Sequence, residues 1–153
     1  MEKHYKIIIN FLMIALYSFG ASANSDWKSG VQKDEMSGRE TFFITTNWIS
    51  PKYPMSFQYQ KNESSIIIAR TKNGTGIMIF FQFTTAPSIN DTKINDGSNK
   101  IITRIKFGEK LERIRLDQKW GSKYLSVYSE IAFIQNLWNA KEVLLELNWH
   151  GSN

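Results

Sequence analysis

The side chains that most often carry out catalysis are scarce in this 153-residue chain. It has no cysteine and two histidines: His4, and His150 three residues from the carboxyl end. A histidine base must be held by packing and oriented by a carboxylate, and a terminal tail seldom provides either. Zinc sites draw mainly on cysteine and histidine. The sequence therefore predicts neither a catalytic histidine nor a metal site.

Paired carboxylates are the one catalytic arrangement that the composition leaves open, because glycoside hydrolysis requires two of them across a cleft. Asp34 and Glu35 are adjacent, so in a strand they would point to opposite faces and in a turn they would face solvent. Glu109 and Glu112 stand among basic residues, which indicates an ion-paired strand surface. A non-enzymatic protein is therefore the first hypothesis, and a small envelope glycan hydrolase is the alternative.

A stripe of basic residues is the first candidate for a binding surface. The stripe consists of Arg104, Lys106, Lys110, Arg113 and Arg115. In strands, Arg104 and Lys106 share a face, as do Arg113 and Arg115, and neighbouring strands would bring the two pairs together. Such a surface suits an anionic ligand. The competing interpretation is the solvated outer face of a sheet, since outer and edge strands often carry Lys and Arg.

Tryptophan is abundant for a chain of this length. The five tryptophans are Trp27, Trp48, Trp120, Trp138 and Trp149. Tryptophan is favoured at binding surfaces, although a β domain without disulfides also needs several in its core. We expect Trp138 in the core, because it continues a helical apolar pattern. Trp27 and Trp120 lie near polar turns and are the predicted contact residues.

The first 23 residues predict export. Two lysines and a histidine within residues 3–6 precede an apolar run over residues 7–19, and small residues follow up to Ala23. The run is shorter than the roughly 20 residues of a membrane-spanning helix, and its flanks fit a cleavable signal peptide cut after Ala23. No cysteine is available for a lipid anchor. The mature protein is predicted to be periplasmic or secreted, without a membrane anchor.

The mature part, residues 24–153, has the size of a single domain. Loss of Glu2, Lys3 and Lys6 with the signal peptide lowers the formal net charge from +5 to +4, so the domain stays basic. An exported domain without disulfides depends on its core and hydrogen bonds alone. This is more typical of a bacterial envelope protein than of a small extracellular animal domain.

Short apolar, β-branched runs separated by turn-forming clusters predict a mainly β fold of the β-rich α+β type. An Asn-Gly step at Asn73 predicts a hairpin, whose second strand has apolar residues on both faces and is expected to be central. Ser129 is the predicted N-cap of one helix. We expect an antiparallel sheet or sandwich. The predicted strands are 41–48, 65–70, 76–83, 100–107, 110–120 and 142–149, with a helix at about 130–140 and a surface loop at 86–99.

Several stretches of the mature chain carry a resemblance to a known group of proteins. They are Trp27 with residues 33–38 (KDEMSG), residues 66–70 (IIIAR), residues 103–105 (TRI) leading through Gly108 to Trp120, and residues 133–145 (FIQNLWNAKEVLL). In this pattern the chain resembles small bacterial envelope proteins that include the type VI secretion-associated VasI-type proteins. The resemblance implies a β-rich periplasmic domain without established enzymatic chemistry.

Together these observations favour an exported, non-enzymatic binding or accessory protein. Its expected partner is an envelope or secretion-apparatus protein, or an anionic envelope ligand. The chain has neither a phosphate-binding loop nor a dinucleotide fingerprint, so we expect no cofactor and no nucleic-acid partner. The residues predicted to contact the partner are Arg104, Lys106, Arg113, Arg115, Trp27 and Trp120.

Overall fold

In the computed structural model, which describes residues 27–74, 76–90, 93–95 and 97–149, nine strands form one antiparallel sheet. The mainly β prediction, with one helix before the last strand, is confirmed. The signal peptide and His150 lie outside the described residues. The elements are β1 (Trp27–Lys33), β2 (Glu40–Thr46), a 3-10 helix (Phe57–Tyr59), β3 (Ser64–Thr71), β4 (Met78–Phe83), β5 (Lys93–Asn95), β6 (Ser98–Phe107), β7 (Lys110–Lys119), β8 (Tyr124–Val127), α1 (Glu130–Asn139) and β9 (Val143–Leu145).

The strands follow the order β1-β2-β3-β4-β8-β7-β6 across the sheet, and β5 and β9 share the outer edge of β6. Lys93 of β5 pairs with Lys100 near the start of β6, whereas Val143 of β9 pairs with Phe107 at its end. Both predicted hairpins, β3–β4 and β6–β7, are confirmed. β4 lies between β3 and β8, so its predicted central position is also confirmed.

One face of the sheet carries the core, and α1 packs on it. Leu125 of β8 and Leu116 of β7 are fully buried between the apolar side chains of β4 and β6. Phe133 of α1 stands edge-on to Phe81 of β4 and Phe107 of β6, with ring centroids 5.7 and 5.3 Å away. Aromatic pairs in this geometry are stabilising beyond the area that they bury. Phe133 therefore anchors the helix across the central strands.

The expectation that Trp138 belongs to the core is wrong, because this side chain is 59% exposed. The helix meets the sheet through Phe133 and Ile134, which are buried, and through Leu137, which packs against the core. At 3.6 residues per turn, Trp138 lies roughly a quarter turn from the middle of that stripe. A ten-residue helix lying on a sheet buries only a narrow face. The apolar spacing alone therefore predicted a wider buried face than the structure has.

Three strands were not predicted from the sequence: β1 and β5, which have little apolar alternation, and β8, which is only four residues long. β1 has a polar sequence, and β5 lies within residues 86–99, which were expected to be a surface loop. The last strand is shorter than predicted, since β9 ends at Leu145 and the chain beyond it changes partner, with Trp149 bridging to Ile89. Among the described residues, no helix has the length and apolarity that crossing a bilayer requires.

Candidate functional site

The β6–β7 hairpin places four of the predicted basic residues on the face of the sheet opposite the core. Arg104 lies directly opposite Arg113, and Arg115 lies opposite Ile102. Lys106 is two residues from Arg104 and therefore shares its face. The expectation that neighbouring strands bring these side chains together agrees with this register. We call this surface the outer basic face; it comprises Ile102, Arg104, Lys106, Leu111, Arg113, Arg115 and Tyr128.

Lys110, the remaining member of the predicted stripe, lies on the core side of the hairpin. It is opposite Phe107, and its ammonium is 2.6 Å from a carboxylate oxygen of Glu112. Asn136 of α1 joins them, because its amide oxygen accepts from Lys110 at 2.9 Å and its amide nitrogen donates to Glu112 at 2.7 Å. This polar cluster attaches the helix to β7.

Arg104 attaches the segment after β9 to the sheet. Its Nε and Nη2 donate to the two carboxylate oxygens of Glu146 at 2.6 and 2.9 Å. The Thr103 hydroxyl donates to the Glu146 carbonyl oxygen at 2.5 Å, and the Glu146 amide donates to the Arg104 carbonyl oxygen at 3.0 Å. The hydrogen bond from Arg104 lowers the pKa of Glu146. The positive charge of Arg104 is thus compensated by a carboxylate of the same chain.

The positive charges of Arg115 and Lys106, which also lie on the outer basic face, are compensated as well. The Arg115 guanidinium is 3.1 Å from a carboxylate oxygen of Asp117, and it lies over the ring of Tyr128 at 3.9 Å from the centroid. Lys106 is 3.4 Å from the carboxylate of Glu109. Exposed ion pairs of this kind contribute little to stability. Their effect here is to neutralise three of the four predicted cations.

Arg113 differs from its neighbours because it is exposed and forms no ion pair with the residues that the structure describes. Exposed apolar side chains surround its position. Ile102, opposite Arg115, is 66% exposed, and Leu111, two residues before Arg113 on the same face, is also exposed. The outer basic face is therefore a mixed surface, in which exposed apolar side chains lie among ion-paired cations and Arg113 is the one cation without an ion pair to a described residue.

The structure does not bring the two predicted tryptophans to this surface. Trp27 begins β1, is partly buried, and packs against the core, five strands away from β7. Trp120 is 78% exposed in the turn after β7. It follows Arg113 by seven residues, which is roughly 23 Å along a strand. Any contacts of these tryptophans with a partner would belong to other surfaces.

The carboxylates considered for hydrolysis lie in turns and ion pairs. Asp34 accepts the backbone amides of Met36 and Ser37 at 2.9 Å each, and these bonds lower its pKa. Glu40, which was not among the carboxylates considered, also has a lowered pKa because of its hydrogen bond from Lys72. A general acid in glycoside hydrolysis needs a raised pKa, so these shifts have the opposite sign. Within the described ranges, no cluster of acidic residues and histidines could hold a metal ion.

Sequence reasoning missed the apolar members of the outer basic face. Ile102 stands in an apolar run, but the core residues Ile101 and Ile105 are separated by four positions, so Ile102 falls on the face of Arg104. The sequence was therefore sufficient to place Ile102 on this face. It was not sufficient for Tyr128, because that residue joins the surface only through the pairing of β8 with β7.

No protein-family model, curated protein or solved structure matches this chain. The resemblance to the VasI-type proteins accordingly stays a prediction that depends on the residues named for it.

The contribution of Glu146 to stability is expected to depend on pH. Because its pKa in the folded protein lies below the ordinary value of 4.5, the carboxylate stabilises the fold above that pH and loses this effect as the pH falls through the lowered pKa. Glu146→Gln should therefore be less stable than wild type at pH 7, with the difference shrinking below pH 4.5. Urea midpoints measured from pH 7 to pH 3 test this.

The matched control for that titration is Glu35→Gln, at an exposed glutamate in the β1–β2 turn. A difference between wild type and Glu146→Gln that stayed constant down to pH 3 would contradict the assigned role of the Arg104–Glu146 pair.

Proposed function

We propose that this chain is an exported, non-enzymatic binding protein of the bacterial envelope, and that the outer basic face binds an acidic region of a partner protein. The observation that carries the proposal is the β6–β7 register, which groups Arg113 with exposed Ile102 and Leu111. The export step rests on the predicted signal peptide. The partner belongs to an envelope or secretion assembly in this proposal, in keeping with the VasI-type resemblance.

The composition of the surface favours a protein partner over an anionic polymer. Polymer binding depends on a row of uncompensated cations, whereas Arg104, Lys106 and Arg115 already have carboxylate partners. Protein interfaces combine a partly apolar centre with arginine and tyrosine anchors. Arg113 and Tyr128 are side chains of that kind. An acidic side chain of the partner would pair with Arg113, and the apolar side chains would exclude water around it.

Charge reversal at Arg113 is expected to weaken partner binding about tenfold to a hundredfold, because an arginine at the centre of an interface commonly contributes about 2 kcal/mol. The processed protein, purified from expressing bacterial cells, is immobilised and used to capture proteins from envelope extract. The captured partner is then purified, and its affinity is measured for wild type and for Arg113→Glu. The control is Lys141→Glu, the same charge change at an exposed lysine between α1 and β9.

Equal affinity of the Arg113→Glu and Lys141→Glu variants for the partner would overturn the assignment of the surface. The non-enzymatic part of the proposal has a separate test. If the purified protein cleaved cell-wall or other envelope glycans, and single Asp→Ala or Glu→Ala variants removed that activity, the hydrolase alternative would replace it.

A further inference from the structure

Two loops that are distant in the sequence lie at the same end of the sheet. Ile49, in the loop between β2 and β3, exchanges backbone hydrogen bonds of 2.8 and 2.9 Å with Ser64. Ser64 pairs with Phe83 of β4, whose amide donates to the carbonyl oxygen of Lys123 at 2.9 Å. The row therefore spans three strand spacings, roughly 14 Å. We call this region, residues 47–63 with residues 119–123, the loop end.

Large aromatic side chains are exposed at the loop end. Trp120 is 78% exposed and Tyr53 is 74% exposed, and Trp48 is exposed next to the exposed Ile49. Tryptophan and tyrosine have an apolar body and a polar tip, which suits them to a boundary between apolar and aqueous phases. They are enriched at the headgroup level of bilayers for this reason.

The loop end also has an excess of lysine. Lys52, Lys61, Lys119 and Lys123 are exposed and form no ion pair within the described part of the chain, and Glu63 is the one acidic residue in these two segments. The cations of the outer basic face, by contrast, are mostly paired. An uncompensated group of lysines is attracted to an anionic lipid surface within about one Debye length.

We infer that the loop end docks the exported protein on the surface of an anionic phospholipid bilayer. Trp48, Tyr53 and Trp120 enter the headgroup region, and the four lysines contact anionic headgroups. This surface is separate from Arg113 of the outer basic face, because Trp120 follows Arg113 by seven residues, or roughly 23 Å of extended chain. Docking in this way leaves the outer basic face open to a protein partner.

Sedimentation with lipid vesicles tests the inference. The processed wild-type protein should bind vesicles of mixed phosphatidylglycerol and phosphatidylcholine, and it should bind pure phosphatidylcholine vesicles far more weakly. Lys119→Glu combined with Lys123→Glu should weaken binding to the anionic vesicles about 25-fold or more, since each lysine near such a surface contributes about fivefold. Trp120→Ala should weaken binding about tenfold, because less apolar area enters the interface.

Matched controls are Lys141→Glu and Trp138→Ala, which change an exposed lysine and an exposed tryptophan outside the loop end. Both should bind anionic vesicles like wild type. Two outcomes would overturn the inference: no binding to anionic vesicles, whether or not the protein binds a soluble anionic polysaccharide, or equal losses in the loop-end and control variants. Arg113→Glu should leave vesicle binding unchanged, so the two surfaces are tested independently.

Discussion

Replacing Phe133 by alanine is expected to lower the free energy of unfolding by about 3–5 kcal/mol. The side chain is 3% exposed and its ring contacts Phe81 and Phe107, so its removal leaves a cavity between α1 and the centre of the sheet. Short connections join α1 to β8 and β9, which limits how far the helix can move to fill this cavity. Urea unfolding followed by tryptophan fluorescence measures the loss.

Ile131→Ala is the matched control for this prediction, since Ile131 lies on the same helix and is exposed. It should cost about 1 kcal/mol or less. If the two variants lost the same amount, Phe133 would not be the residue that fixes the helix on the sheet.

The second large effect is expected at Gln118, a polar side chain that is 2% exposed within the core face of β7. Its amide nitrogen donates to the carbonyl oxygens of Pro87 and Ser122 at 2.8 and 2.9 Å, and its amide oxygen accepts from Asn99 at 3.4 Å. Gln118→Leu keeps a similar volume but leaves these buried groups without a partner. We expect a loss of about 3 kcal/mol, since each unsatisfied buried group costs about 1–3 kcal/mol.

Gln32→Leu makes the same substitution at an exposed position of β1 and should change stability by no more than about 0.5 kcal/mol. Gln118 also connects β7 to the turn that carries Trp120, because one of its acceptors is Ser122. Proteolysis within residues 119–123 should therefore be faster in Gln118→Leu than in Gln32→Leu. A Gln118→Leu variant as stable as wild type would contradict the stabilising role assigned to these hydrogen bonds.

The two proposed surfaces describe an accessory protein with a fixed orientation. In these proposals the loop end faces an anionic bilayer, while the outer basic face lies along the sheet and stays accessible from the aqueous side. The two sets of variants separate these roles, since Arg113→Glu addresses the protein partner and the Lys119→Glu, Lys123→Glu pair addresses the lipid. If one proposal failed its test, the other would be unaffected.

Local patterns were sufficient for most of the elements. The Asn-Gly step and the flanking apolar runs predicted the β3–β4 hairpin, and alternation along residues 100–107 and 110–120 predicted β6–β7. The spacing of Ile131, Ile134 and Leu137 predicted α1. β5 was missed because its pairing with β6 depends on the backbone, and a Lys-Ile-Asn sequence gives no side-chain signal for a strand.

The alternation of side chains in the sequence determined that Arg104 and Lys106 share a face, that Arg113 and Arg115 share a face, and that the domain is mainly β. The tertiary structure decided how much uncompensated positive charge remains on the outer basic face, because Arg104 is neutralised by Glu146, 42 residues away. It also decided that Trp48 and Trp120 belong to one end of the sheet, since β8 pairs with β4. Periodicity along a strand is a local property, whereas partners from distant segments depend on the strand order.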